Sequence, residues 1–90
     1  MKVTAKVVEV EGEGFVSLLD TNIEIYTIDY IYAGKLVGVN DTCVKLEDPH
    51  IVYETGEFSA KKYKDCQSMC KPEHYIQISA IISFGETTRI

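Results

Sequence analysis

The run Tyr30-Ile31-Tyr32-Ala33-Gly34-Lys35-Leu36-Val37-Gly38-Val39-Asn40-Asp41 constrains the fold more than any other stretch of this chain. It begins as a strand rich in aromatic and β-branched residues, then meets Gly34. A glycine inside a strand pattern marks a kink or a close approach of two backbones. The apolar alternation resumes after it and ends at Asn40-Asp41, a tight-turn pair. A long strand bent in its middle is what a very small barrel needs to fold its sheet back on itself. Gly34 is therefore the expected structural bend.

Ninety residues make a single domain, with 46% hydrophobic and 26% charged residues, which is ordinary globular material. No apolar run approaches the ~20 residues of a membrane-spanning helix. The first residues, Met1-Lys2-Val3-Thr4, lack the layout of a signal peptide, and the expected location is cytoplasmic. Cys43, Cys66 and Cys70 are an odd set and read as free thiols. The net charge of −5 argues against indiscriminate binding to phosphate backbones. Charge is nevertheless uneven. Glu9, Glu11, Glu13, Asp20, Glu24 and Asp29 form an acidic half without a base, whereas Lys61, Lys62, Lys64 and Lys71 oppose only Asp65. Such a dipolar chain can turn one face toward a polyanion.

Along the chain, Val3, Ala5 and Val7 suggest a first strand over 3–10, and Glu11-Gly12-Glu13-Gly14 a break. Residues 15–19 fit a short helical turn or a short strand. Ile23 and Ile25 alternate inward, followed by Ile28, with a bend over 27–29. Strands are expected over 30–39 and 43–46, the latter ending at Asp48-Pro49, then over 50–54. Thr55-Gly56 turns the chain. Residues 57–71 read as one helix, with Ser59 as its N-cap and Pro72 as its stop. Strands 75–78 and 81–84 follow, and 85–90 read as a loose tail. The expected layout is an N-terminal extension 1–21, a core 22–84 and that tail.

Several of these segments resemble the Sm and Sm-like (LSm) family, including its bacterial branch Hfq. Gly34-x-Leu36-x-x-Val39-Asn40 resembles the first motif of that family, and Val44-x-Leu46-x-Asp48 the strand after it. Tyr75-Ile76-Gln77-Ile78-Ser79-Ala80-Ile81-Ile82-Ser83 is similar to the second motif, nearest to the Hfq form. With its Thr55-Gly56-Glu57-Phe58 step, the chain looks most like small phage-type or bacterial Sm-like proteins of unknown function. The chain departs from the pattern in four places. Asn40 stands where the family has Asp, the loop after it is one residue shorter so that the family's base-contacting Met-Asn pair has no counterpart beyond Thr42-Cys43, the Arg-Gly of eukaryotic second motifs is absent, and Ile76 and Gln77 replace the basic pair of Hfq. The resemblance implies a mainly β fold, a strongly bent five-stranded Sm-like barrel, here with an extra N-terminal strand or short helix and the inserted helix.

The two last strands are rich in apolar residues, and an exposed apolar edge aggregates unless it is covered. Head-to-tail pairing with a second copy closes a cyclic homo-oligomer, of about five to seven subunits. Tyr75, Ile76, Ile78, Ile81, Ile82 and Phe84 are the candidate interface residues. The alternative cover is the strand over 3–10 of the same chain. The RNA-binding candidates are Asn40, Asp41, Lys61, Lys62, Lys64, Tyr75 and Gln77, with Tyr75 suited to base stacking. Two functions follow: a ring that binds single-stranded RNA weakly, or a structural or assembly ring, of phage type, that meets a protein partner. Cys66-x3-Cys70-x3-His74 has a zinc-like look, but Pro72 separates its parts and buried cysteines are the simpler reading. No catalytic set, metal centre or cofactor is called for.

Overall fold

The computed structural model describes residues 7, 8 and 12–90, so the strand expected over 3–10 lies outside the described residues except for Val7 and Val8, which are not in a strand. Six antiparallel strands carry the fold: β1 (Asn22–Thr27), β2 (Ile31–Val39), β3 (Cys43–Glu54), β4 (Asp65–Ser68), β5 (Glu73–Gln77) and β6 (Ile81–Glu86). One short helix, α1 (Gly14–Ser17), precedes them. Of the two readings open for 15–19, the helical turn is the one adopted, because it places Phe15 face to face on Phe84 with ring centroids 3.7 Å apart.

The strand order is β4-β3-β2-β1-β6, with β5 also paired to β3. β2 covers one edge of β3 along both of its halves, while β5 and β4 share the other edge end to end. β5 and β6 thus lie on opposite sides of the sheet, although only the single 3-10 turn Ile78–Ala80 joins them. A flat sheet would put β5 and β6 about 19 Å apart. The four peptide steps from Gln77 to Ile81 reach at most about 14 Å. The sheet must therefore curl. No ladder joins β5 to β6, so the closed five-stranded barrel expected from sequence is corrected to an open, curled sheet of six strands.

The curl is concentrated where β2 crosses β3. A Cβ on Gly34 would lie 3.0 Å from the Glu47 carbonyl oxygen and 3.4 Å from that of Asp48. Opposite it, Asp48 takes a positive φ of 50°, and the β2–β3 register shifts between Ala33 and Lys35. Pro49 sits in this irregularity, fully buried, and β3 runs through it without ending there. A bulge is the one place in a strand interior that tolerates a residue without an N–H donor. An extra residue also moves the following side chains to the other face. Accordingly Val44 and Leu46 join Phe15, Ile23, Ile25, Leu36 and Ile76 in one core. Beyond the bend, Ala33 and Val52 pack with Tyr63 in a second cluster on the other face.

Three further expectations are corrected. Residues 57–71 form no helix; they make a loop and then β4, which pairs with His50, Ile51, Val52 and Glu54. A helix there would have left the second half of β3 with an unpaired edge, and the ladder outweighs weak helical periodicity. Ile28 does not point inward: it caps the β1–β2 turn at 84% exposure. Residues 85–90 are not loose, since Gly85 and Glu86 complete β6, Thr87 is buried and Ile90 packs on the second cluster. Among the described residues no helix is long and apolar enough to cross a membrane.

Candidate functional site

The β2–β3 turn is built by Asn40. Its side-chain oxygen accepts from the backbone N–H of Thr42 at 2.8 Å and of Cys43 at 2.9 Å, and from the Thr42 hydroxyl at 3.1 Å. The Asn40 N–H donates to the Cys43 carbonyl at 3.0 Å. An asparagine whose side chain mimics the next turn of backbone suits a two-residue reversal. Asp41 is left at the tip, exposed. The Ile78 N–H donates to the Thr42 carbonyl at 2.9 Å, which ties the β5–β6 connection to this turn.

That tie gathers four of the seven RNA-binding candidates at one end of the sheet. Asn40 and Tyr75 line a shallow cleft of about 250 Å³ with Gly38, Val39, Cys43 and Lys45. Asp41 and Gln77 line its neighbour, about 450 Å³, with Thr42, Ile78 and Ser79. Tyr75 is 59% exposed, and the Lys45 ammonium sits 5.7 Å from its ring centroid. Lys45 is also paired with Glu73 at 3.1 Å, and the hydrogen bond to that carboxylate raises the pKa of its ammonium. This face therefore offers a ring to stack on, amide and hydroxyl groups, and one lysine already matched by an acid. Lys45 and Ser79 were not singled out in the sequence as site residues, where nothing but their place beside the turn and the 3-10 segment marks them.

Lys61, Lys62 and Lys64 lie elsewhere. All three are exposed on the loop that follows β3, and Lys64 pairs with Glu54 at 3.3 Å. The turn face adjoins the start of β3 and the lysines its end, at opposite ends of a twelve-residue strand that bends in its middle. The seven candidates do not form one surface.

The six interface candidates also divide. Ile76 is buried in the chain's own core, and Ile78 and Ile81 pack against that core from its margin. Phe84 is committed to its stack on Phe15. Tyr75 on β5 and Ile82 on β6, 68% exposed, remain at the surface. Among the described residues, β5 and β6 each keep one backbone edge without a strand partner.

A second polar assembly was invisible in the sequence. The Tyr63 hydroxyl donates to Glu24 Oε2 at 2.7 Å and shares a 2.8 Å hydrogen bond with the Thr87 hydroxyl. Burial pushes the Tyr63 phenol well above its ordinary value; the Thr87 hydroxyl draws it back and the Glu24 carboxylate adds to the rise. Tyr26 donates to the other Glu24 oxygen at 3.4 Å. Glu24, Tyr63 and Thr87 stand far apart in sequence, and only the folded sheet brings them together.

Cys66 lies on β4 and is half-buried, with burial and then Asp65 raising its thiol pKa, while Cys70 is exposed in the following turn. His74 on β5 stacks on Tyr32 at 5.5 Å, and burial, then Lys71, lowers its pKa. Among the described residues no three His, Cys, Asp or Glu side chains are gathered as metal ligands. Compared with protein-family models, curated proteins and solved structures, the chain gives no match.

Proposed function

We propose that this chain is an Sm-like, ring-forming homo-oligomer whose turn face, around Asn40, Asp41, Tyr75 and Gln77, binds single-stranded RNA weakly. The observation that carries the reading is the pair of edges on β5 and β6 that have no strand partner among the described residues, held on opposite sides of one curled sheet. Such edges pair with those of another copy, and head-to-tail pairing closes a ring where the rotation between copies divides a full turn without a rise. Tyr75, Ile82 and Phe84, the exposed large side chains of these two strands, supply apolar surface to cover. The motif likeness around Gly34, Leu36 and 75–83 supports the same assembly. For RNA, an exposed ring beside amide groups is the chemistry of base stacking with edge contacts. With its one lysine offset by Glu73, the face offers little phosphate binding, so affinity is low and salt changes it only slightly.

Light scattering tests the ring: a single species several-fold above 10.1 kDa is expected, and a stable monomer overturns it. The Thr87 N–H bonds to the Asn22 carbonyl, so the N–H of Glu86 faces outward; Glu86→Pro removes this donor from the free edge of β6 and is expected to shift the ring toward monomer. For RNA, titration with short uridine- or adenine-rich oligomers at low ionic strength is expected to give binding that Tyr75→Ala abolishes. A ring that binds neither oligomer is instead a structural module for a protein partner. The separation of the lysine loop from the turn face, in a chain of net charge −5, favours that second reading.

A further inference from the structure

Residues 56–64 leave the end of β3 and return to β4 as a loop whose feet touch: a Cβ on Gly56 would lie 3.1 Å from the Lys64 Cβ. A surface loop of this length with adjoining ends is a compact unit able to move as one body. Its single buried anchor is Tyr63, while Phe58 at its crest is 81% exposed. Little apolar burial holds it down. Polar contacts hold it instead: the Tyr63 hydroxyl bonds to Glu24 and Thr87, and Arg89, from beyond β6, reaches across the loop. Arg89 Nη2 donates to the carbonyl oxygens of Thr55, Glu57 and Lys62, the last two at 3.0 and 3.3 Å. The guanidinium also lies over the Tyr63 ring, 4.6 Å from its centroid.

One nitrogen thus serves three acceptors, while Arg89 Nε is buried without a partner among the described residues. A buried donor left unmade offsets part of what the other contacts contribute. Arg89 also forms the partition between two clefts. One, about 480 Å³, includes Glu24, Tyr26, Phe58 and Lys61. The other, about 350 Å³, includes His50, Lys62 and Cys66. Beneath the loop, Cys66 packs with Tyr63, Ala33 and Val52.

We infer that residues 56–64 are a latched lid: Arg89 is the latch, and its release lifts the loop, joins the two clefts and uncovers the Cys66 thiol with the apolar face of Ala33 and Val52. The device is independent of the ring and of RNA. It is tested in a chain with Cys43 and Cys70 replaced by serine, so that Cys66 is the one thiol. Arg89→Ala is expected to speed alkylation of Cys66 about tenfold or more. Amide exchange, which does not depend on the thiol's charge, is expected to accelerate over 57–64 and to stay unchanged in β1 and β2. Arg89→Lys, which keeps the charge but loses the planar fork, is expected to fall between the two and serves if Arg89→Ala does not fold. Unchanged alkylation and exchange in a folded variant overturn the latch. So does faster exchange spread equally over β1 and β2, which would mean general loosening rather than a lid.

Discussion

The two halves of β3 are held by different physics. From Cys43 to Glu47 the strand runs between β2 and β5, and Val44 and Leu46 are fully buried among aliphatic neighbours and Phe15. From His50 to Glu54 it runs between β2 and β4, and the packing beneath the loop depends on Tyr63, which is fastened by hydroxyl and guanidinium contacts to Glu24, Thr87 and Arg89. The first half draws its stability from area removed from water, a term that tolerates no missing volume. The second relies on polar contacts, each modest in net terms but costly when half-made. A small sheet can thus be firm at one end of a strand and adjustable at the other.

This contrast can be broken by mutation. Leu46→Ala is expected to cost about 2–5 kcal/mol by denaturant unfolding, and Val52→Ala clearly less, because it removes fewer atoms from a smaller cluster. Equal costs would erase the difference between the halves. Gly34→Val, at the bend that separates them, is expected to cost about 1–3 kcal/mol, since its side chain meets a backbone oxygen that cannot swing aside. A neutral result would mean that the crossing of β2 and β3 is soft. Tyr63→Phe is expected to cost about 1–2 kcal/mol, through the Glu24 carboxylate and Thr87 hydroxyl left facing an apolar ring.

The smallest effect expected is that of pH on the β5 side. The folded pKa of His74 lies below its ordinary 6.5, so the unfolded chain takes up this proton first as acid is added. His74 therefore costs nothing at high pH. As pH falls through 6.5 the fold loses stability, and the loss levels off below the lowered folded value. His74→Gln is expected to remove that segment of the stability–pH curve; an unchanged curve would show that the stack on Tyr32 leaves the imidazole free to protonate.

The parts legible in the sequence are those governed by neighbours along the chain. Ile23 and Ile25, Val44 and Leu46 alternate, and a period of two identifies a half-buried strand wherever it lies. Asn40 makes its turn with groups two and three residues on. The site was legible only to that extent: Asn40, Asp41, Tyr75 and Gln77 were named and lie together, whereas the lysines were grouped with them for their charge and the interleaved Tyr63 and lie at the other end of β3. The helix expected over 57–71 rested on a few apolar positions, too few to outweigh the unpaired edge of β3. Arg89 looked like one charge in a polar tail, because its acceptors stand 27 to 34 residues away.

The sequence by itself determined that this is a β-rich domain, that Ile23, Ile25, Val44 and Leu46 face inward and that it turns at Asn40, since alternation and turn chemistry act over two or three residues. Tertiary structure decided the rest: that β3 passes through Pro49 without stopping, that 65–68 become a strand, and that Glu24, Tyr63, Thr87 and Arg89 meet. Each of those outcomes turns on backbone and side-chain polar groups that must find partners once water is excluded. Which partner is within reach depends on the curl of the whole sheet, not on any local run of residues.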